Sequence, residues 1–409
     1  MLNILWVSFF IISFIFALIK SVYWGQIDIW NELTISLFVS AKNAFNICLN
    51  LTGILCLWLG LLKIAEASGI TNVLATALRP LFKKIMPEVP QDSPAIGAII
   101  MNIAANMLGL DNAATPMGIK AMEQLQKNNP TPDKASKAQQ MFMVINASAV
   151  TLIPITILMY RSELGASNPA AVFIPILLAT SISTLVGFMS IAIVQKLNIF
   201  NKIVLLYLLF AFAFIIAVTI GFNALPPEQR INLASAIGNF ILFFVLVLFI
   251  SRGIIKKINV YECFIIGAKE GFDIAIKIIP YLVAMLTAIA SLRSSGALDM
   301  LISGIENLCN NLKINTDFVA ALPTAILKPL SGSGARAMMI ETMQNYGANS
   351  FAGFTASIIQ GSTETTFYVL AVYFGAVGIS KVGAALPCAL LADLAGIIAA
   401  ICFSYVFFE

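Results

Sequence analysis

Long apolar stretches alternate with short polar ones along most of this chain. A helix that spans a bilayer needs about 20 consecutive, mostly apolar residues, and nine stretches meet or approach that length. The pattern predicts an all-α integral membrane protein with about nine spanning helices. We place them at residues 2–19, 47–63, 138–160, 171–194, 203–222, 233–251, 276–292, 352–378 and 383–407.

The chain also contains an internal duplication. Residues 267–296 repeat residues 40–69 without a gap, and small and polar matches such as Ser68-Gly69 against Ser295-Gly296 fix the register. Further along, the alignment continues between 110–124 and 330–344, and between 145–151 and 359–365. Repeats of this size in a membrane usually build a site where the two copies face each other. We divide the chain into an N-terminal helix and loop (1–35), a first repeat (36–200), connecting helices (201–257) and a second repeat (258–409).

Each repeat contains a segment that is apolar but too short or too broken to span a membrane. The first, residues 94–110, is interrupted by Asn102 and Asn106, and the second, residues 318–330, carries Pro323 and Pro329. Irregular backbone at membrane depth occurs only where protein or a watery cavity surrounds it. We interpret both segments as re-entrant hairpins or discontinuous helices; an ordinary interfacial loop is the alternative.

The distribution of charge predicts that the second repeat is inverted relative to the first. Lysine and arginine residues flank the first broken segment on both sides, so that segment enters and leaves on the same side under the positive-inside rule. Five predicted crossings then separate equivalent points of the two copies, and an odd number inverts the second copy. Residues 31–46 and 258–275 fit amphipathic helices that lie along the membrane surface.

Composition excludes several classes of function. Only 11% of residues are charged, 59% are hydrophobic, and the net charge is +4 with basic residues scattered through loops, so we expect no nucleic-acid partner. The chain has no histidine, and its six cysteines form no CxxC motif. We therefore expect no metal site, no cofactor and no catalytic triad.

Glu364 is the strongest single candidate for a functional residue. It lies within an otherwise apolar stretch, where an ionisable side chain costs about 3 kcal/mol or more unless it faces a cavity or a partner. A structural ion pair with Lys328 or Arg336 is the alternative. Its counterpart in the first repeat is Val150, so one copy would supply charge and the other neutral hydrogen bonds.

Further candidates lie at matched positions of the two repeats. Residues 331–334, Ser-Gly-Ser-Gly, precede a predicted helix whose N-terminal N–H groups suit an anion or a carbonyl group, and Arg336 either counters a substrate anion or anchors the interface. Asp393 replaces Thr180 of the first copy, and either it binds a coupling ion together with Glu364 or it clamps two helices. The predicted substrate-binding residues are Asp111, Asn112, Thr115, Asn146, Ser148, Ser331, Ser333, Arg336, Gln360, Ser362, Thr363 and Glu364.

These motifs carry a family resemblance. LGLDNAATPMGIKAM resembles the spore maturation protein A family, and KPLSGSGARAMM with QGSTETTFYVLAVYFGAVGI resembles the spore maturation protein B family. The resemblance covers residues 36–200 and 258–409 and implies two nucleoside recognition (Gate) domains, as in the gate region of bacterial ferrous iron permeases. It also implies a multi-pass protein of the bacterial cytoplasmic membrane. Concentrative nucleoside transporters are a more distant likeness.

Three functional hypotheses follow from the sequence. The first is a secondary transporter of a small polar solute, with a coupling proton or sodium ion and a site between the inverted repeats. The second is a channel or a non-transporting membrane scaffold. The third, an intramembrane enzyme, is disfavoured because the chain has no histidine and no Ser-Lys or paired-aspartate motif. The expected partners are the solute and the lipid bilayer, and a homo-oligomer is left open.

Overall fold

The computed structural model describes residues 2–90, 93–108 and 111–408, with the side chains of all of these except 2, 3, 5, 111–113, 227 and 228. Across these residues the fold is helical, and the single β contact is an isolated bridge between Lys134 and Lys381. The helices are α1 (Leu2–Tyr23), α2 (Ile29–Ala67), α3 (Ile70–Ile85), α4 (Pro94–Met107), α5 (Asp111–Lys127), α6 (Lys137–Ala147), α7 (Ile155–Glu163), α8 (Phe173–Gln195), α9 (Lys202–Asn223), α10 (Pro227–Ile255), α11 (Val260–Ser294), α12 (Ala297–Asn311), α13 (Leu322–Leu327), α14 (Gly332–Tyr346), α15 (Phe351–Gly361), α16 (Thr366–Ala376) and α17 (Ala385–Phe408). Short 3₁₀ turns at Pro169–Val172 and Val319–Ala321 precede α8 and α13.

Seven of these helices are long and apolar enough to cross a membrane: α1, α2, α8, α9, α10, α11 and α17. They coincide with seven of the nine predicted spans. Large apolar side chains such as Phe210 on α9 and Phe240 on α10 are exposed on the outside of the bundle. Such an apolar outer surface suits lipid and not water. The predicted class, an all-α integral membrane protein, is confirmed.

The other two predicted spans are not continuous helices. Residues 138–160 divide into α6 and α7, with irregular backbone at 148–154, and residues 352–378 divide into α15 and α16, with a break at 362–365. Pro154, which has no N–H to donate, ends the first break. The second follows Gly361 and consists of short polar residues that compete for backbone hydrogen bonds. Each repeat thus has two discontinuous regions, one more than predicted.

The predicted surface helices are not separate elements. Residues 31–46 and 258–275 lie in the N-terminal parts of α2 and α11. No residue that breaks a helix separates these parts from the spans that follow them, so the helices run on. At 1.5 Å per residue α2 is about 58 Å long and α11 about 52 Å, both longer than the roughly 30 Å hydrocarbon core.

The first short segment folds back on itself as predicted. Helix α4 has 14 residues, so it spans only about 21 Å and is too short to cross the hydrocarbon core. The Asn102 amide of α4 donates a hydrogen bond to the Ala114 carbonyl of α5 at 2.7 Å, which brings the two helices side by side. In the second repeat α13 and α14 pack against each other in the same way.

Equivalent helices of the two repeats pack against each other in opposite directions. On α2 and α11, the Cys263 thiol approaches the Lys63 carbonyl at 3.5 Å, whereas Gly271 packs against the backbone of Cys56. The residue number therefore falls on α2 as it rises on α11. On α8 and α17, a Cβ built at Gly187 would lie 3.1 Å from the Ala392 side chain, and a Cβ built at Gly396 would lie 3.0 Å from the Ser183 side chain. These two helices are therefore antiparallel as well. The predicted inversion requires both arrangements.

Two contacts between loops also join the first repeat to the second, one at each end of the fold. The loop between α5 and α6 meets the loop between α16 and α17, where Asp133 and Lys381 form an ion pair at 2.7 Å. The loop between α14 and α15 meets the one after α7, where the Asn349 carbonyl oxygen accepts hydrogen bonds from the Ser167 N–H at 2.9 Å and hydroxyl at 3.0 Å. We call these contacts the charged clasp and the neutral clasp.

Candidate functional site

The two broken spans meet in the interior of the fold. The N–H group of Glu364, in the break of the second repeat, donates to the carbonyl of Ala147, the last residue of α6, at 2.9 Å. The N–H group of Phe367 donates to the Pro329 carbonyl at 3.1 Å, which ties the start of α16 to the turn after α13. Irregular backbone from both repeats therefore converges, and its free polar groups are partly paired across the repeat interface.

A polar cavity of about 110 Å³ lies beside this meeting point. Three charged side chains face it: buried Lys328, half-buried Arg336 and half-buried Glu364. Gln360 also faces it, and its buried carbonyl oxygen has no hydrogen-bond partner among the described residues. The cavity is lined by Asn106, Thr151, Ile153, Pro154, Ile155, Thr156, Ile157, Tyr160, Lys328, Arg336, Met339, Gln360, Gly361, Thr363 and Glu364.

A second cavity, of about 200 Å³, shares two of these residues. Asn106 and Glu364 line both cavities, so the Glu364 side chain stands where they adjoin. The second cavity has an apolar and aromatic wall from α16 and neutral polar groups from the first repeat. Its lining is Asn106, Thr115, Asn146, Glu364, Tyr368, Val369, Val372 and Tyr373.

The sequence-predicted residues of the first repeat fall into three groups. Thr115 and Asn146 line the second cavity. Ser148 is buried away from both cavities, and its hydroxyl donates to the Val144 carbonyl of its own helix at 2.8 Å. Asp111 and Asn112 begin α5, but their side chains lie outside the described part of the structure. Their predicted approach to Ser333 therefore stays a prediction.

The predicted residues of the second repeat are also divided. Arg336, Gln360, Thr363 and Glu364 share the first cavity. Ser331 and Ser333 do not line either cavity; the Ser331 hydroxyl accepts from the Gly334 N–H at 3.0 Å and caps α14. Ser362 is fully buried, and its hydroxyl donates to the Ile359 carbonyl at 2.8 Å.

Arg336 lies one turn into α14, as predicted, and points to the cavity. Its guanidinium group is 5.9 Å from the centre of the Tyr160 ring, within the range of a cation–π contact. Tyr160 itself is fully buried on α7. Arg336 therefore lies between the Tyr160 ring and the polar cavity, and its two predicted roles, solute binding and anchoring, stay predictions.

A polar network joins the first repeat to α16. The Asn146 amide donates to the Asn102 side-chain oxygen, and the Asn102 amide donates to the Tyr373 hydroxyl at 3.1 Å. Gly118 packs against the same tyrosine ring, and a Cβ built at Gly118 would lie 2.4 Å from it. The first hairpin is therefore fixed against the wall of the second cavity.

Comparison with known proteins decides the family. A family model described as "Nucleoside recognition" (Gate) matches residues 48–167 and 275–380, more than half of the chain. The chain belongs to the nucleoside recognition (Gate) family. Spore maturation protein A of Bacillus subtilis is 42% identical over 183 residues, which make up 45% of this chain and 90% of that protein. Spore maturation protein B of the same organism is 50% identical over 149 residues, 36% of this chain and 82% of that protein. No solved structure matches the chain significantly.

Both broken spans of this Gate protein lie inside the matched segments, together with α4 to α7 and α13 to α16. The helices α1, α9 and α10 lie outside them, as does Asp393 on α17. The relatives and the apolar helices show a multi-pass bacterial membrane protein.

Asp393 is buried, with 1% of its surface exposed. The hydroxyls of Thr366 and Thr363 interact with its carboxylate, although these contacts do not have the geometry of normal hydrogen bonds. Lys328 and Glu364 are close enough to act on the carboxylate electrostatically. Both roles that the sequence left open for Asp393, the binding of a coupling ion and the clamping of two helices, stay predictions.

Several residues that line the cavities were not predicted to bind substrate. The sequence indicates Lys328 only as a possible partner of Glu364, and Asn106 only as an interruption of the first short segment. Both residues line the first cavity. A lysine between Leu327 and Pro329 in an apolar segment is a signal of the kind that singled out Glu364. Tyr160, Tyr368 and Tyr373 had no distinguishing sequence signal, because tyrosines in apolar helices are common.

Proposed function

We propose that this Gate protein is a secondary transporter of a small polar solute. The observation that carries the proposal is the hydrogen bond between Glu364 and Ala147, which joins the breaks of two inverted repeats beside a charged cavity. Transporters built from inverted repeats bind their substrates at such places, where discontinuous helices expose N–H and C=O groups. Glu364 is the central residue of the proposed site.

The charges of the first cavity favour a solute with an anionic group. Lys328 and Arg336 contribute two positive charges and Glu364 one negative charge. An arginine guanidinium binds carboxylate or phosphate through paired hydrogen bonds, while Glu364 and the Gln360 carbonyl oxygen accept hydrogen bonds. A carboxylate that also carries an amine or hydroxyl group satisfies all of these groups.

The cavity volumes limit the size of the solute. At about 110 and 200 Å³, the two cavities hold several water molecules each, since one water needs about 10–15 Å³ by this measure. A solute of amino-acid or small organic-acid size fits either of them. The family description names nucleosides, so uncharged nucleosides form the comparison group in a test.

The discontinuous helices also suit alternating access. In each repeat a half-helix ends at the site, α6 in the first and α15 in the second, and another begins beyond the break. Movement of one repeat against the other would change access to the cavity while its residues stay in place. We propose that a proton or sodium ion drives this cycle in the bilayer. We also propose that the site binds its solute without a catalytic reaction.

The test is a solute screen followed by uptake. Purified protein is heated with amino acids, small hydroxy and dicarboxylic acids, phosphate esters and nucleosides, and compounds that raise its melting temperature are tested for uptake into proteoliposomes. We expect an anionic or zwitterionic compound to stabilise the protein and to accumulate under an ion gradient. Passage without accumulation would favour a channel, and no binding or flux with any class would favour a non-transporting scaffold.

A further inference from the structure

An unusual group of buried oxygen atoms lies behind the proposed site, between the second break and α17. Asp393, Thr363 and Thr366 are 1%, 4% and 0% exposed. Both carboxylate oxygens and both hydroxyls lack a hydrogen bond of normal geometry to any residue that the structure describes. Buried polar groups in proteins are almost always well paired, so a buried carboxylate that meets two hydroxyls without normal hydrogen-bond geometry calls for an explanation.

The group is acidic and rich in acceptors. An isolated ionised carboxylate is costly to bury, so it is paired, protonated or bound to a metal ion. The hydroxyls of Thr363 and Thr366 add two neutral oxygens that face the same carboxylate. Hard cations prefer ligand sets made entirely of oxygen, and a single carboxylate matches the charge of a monovalent ion.

Irregular backbone adds a third kind of ligand, a carbonyl oxygen. The break brings the carbonyl oxygen of Ser362 against α17, where a Cβ built at Gly396 would lie 3.1 Å from it. Gly396 follows Asp393 by about one helical turn. Unwound backbone carbonyls near a repeat interface are the groups that coordinate coupling ions in transporters with inverted repeats.

The first repeat provides an internal comparison. Thr180 stands at the position of Asp393, and its hydroxyl accepts from the Thr151 N–H at 3.3 Å and donates to the Leu177 carbonyl at 3.1 Å. The Thr184 hydroxyl donates to the Ser148 carbonyl in the first break. At this end of the first break the polar groups form normal hydrogen bonds within the protein, whereas at the equivalent end of the second break a carboxylate and two hydroxyls meet without normal hydrogen-bond geometry.

We propose that Asp393, Thr363, Thr366 and the Ser362 carbonyl form a sodium-binding site. Its role as the coupling site rests on the proposed transport function, but the binding of sodium does not. Lys328 and Glu364 are the charged groups that act on Asp393, and both also line the solute cavity. Sodium bound beside Asp393 would offset the negative charge of the carboxylate and leave Lys328 to attract an anionic solute, which links the two binding events.

The experiment measures sodium binding without any solute. Detergent-purified protein is melted in rising NaCl, with choline chloride holding the ionic strength constant, and sodium binding is followed by calorimetry. At ten times the dissociation constant, sodium should raise the ratio of folded to unfolded protein about tenfold. Asp393→Asn should abolish this response and, because it removes a buried unpaired charge, should be more stable than the wild type in choline.

Two further variants keep the test decisive. Thr366→Val removes one proposed ligand and should weaken sodium affinity at least several-fold without impairing folding, since its hydroxyl meets the Asp393 carboxylate without normal hydrogen-bond geometry. Thr180→Val, the matched change in the first repeat, should leave sodium affinity unchanged.

The proposal is overturned if wild-type protein shows no sodium response, as it would if Asp393 carried a proton, or if Asp393→Asn and Thr366→Val respond like the wild type. Solute uptake that persists without sodium binding would overturn this site alone and leave the transporter intact.

Discussion

The breaks in the two repeats lie at matched positions and have different surroundings. Glu364, in the second, opens onto one cavity with charged walls and onto another with aromatic and neutral polar walls. Its counterpart Val150 lines a cavity of about 180 Å³ whose walls are apolar, including Leu78, Phe82 and Ile103. Duplication produced two irregular segments at matched positions; Glu364 in one faces charged side chains, and Val150 in the other faces an apolar cavity.

The two repeats contribute different chemical groups to the candidate site. The second repeat supplies the charged residues Lys328, Arg336 and Glu364, and the first supplies neutral hydrogen-bonding groups such as Asn106 and Asn146. In the proposed transporter the symmetric scaffold would open to either side of the membrane, while one asymmetric set of charges would select the solute. The comparison can be tested at each matched pair of positions.

The largest effect is expected at Glu364. Replacement by Gln keeps the size of the side chain but removes the charge, so Glu364→Gln should reduce solute uptake to background and abolish stabilisation by the solute. Its melting temperature should stay within a few degrees of the wild type. Glu123→Gln, a change at an exposed carboxylate on α5, is the control and should transport normally.

The alternative role of Glu364 predicts a different result. If the carboxylate served only to pair with Lys328 or Arg336, its loss would leave a buried cation unpaired and cost about 3–5 kcal/mol of stability. A variant that still transports, or one that cannot be purified intact, would contradict the assignment of Glu364 to the centre of the site.

The reverse change tests the apolar side of the comparison. Val150→Glu places a carboxylate in the apolar cavity, where a charge within the membrane costs about 3 kcal/mol, and should markedly lower the melting temperature. Val150→Gln has the same size without the charge and should be less destabilised. Equal stability of Val150→Glu and wild-type protein would mean that the two breaks are not chemically different.

A smaller effect is expected from the threonines beside the breaks. Thr180→Val leaves the Thr151 N–H without its acceptor and should cost about 1 kcal/mol, the usual net contribution of a hydrogen bond. Thr366→Val removes a hydroxyl that contacts Asp393 without normal hydrogen-bond geometry and should cost little in sodium-free buffer. Thermal or chemical unfolding compares the two, and the prediction fails if Thr366→Val is the more damaging change.

The sequence predicted the fold better than the details of the site. Mean apolarity located all nine stretches, but it cannot distinguish a continuous helix from two half-helices around a break such as 148–154. The repeat alignment predicted the unequal pair Val150 and Glu364, and the charge distribution with an odd number of crossings predicted the inversion. It could not predict that Ser331 would cap a helix while Lys328 faces the cavity, because such side-chain directions depend on packing between distant segments.

The smallest expected effect concerns the two clasps. Lys381 lowers the pKa of Asp133 and Asp133 raises the pKa of Lys381, although both side chains are largely exposed. The ion pair contributes above the unfolded Asp pKa of about 3.9 and below the unfolded Lys pKa of about 10.4. This contribution is lost as the pH falls through the lowered pKa of Asp133 or rises through the raised pKa of Lys381.

Lys381→Ala should therefore lower the melting temperature slightly at neutral pH and low salt, and not at all at about 1 M salt, where charges are screened within about 3 Å. Asn349→Ala, in the neutral clasp, should have the same effect at both salt concentrations. A salt-independent effect of Lys381→Ala would show that the charged clasp acts through packing, as the neutral one does.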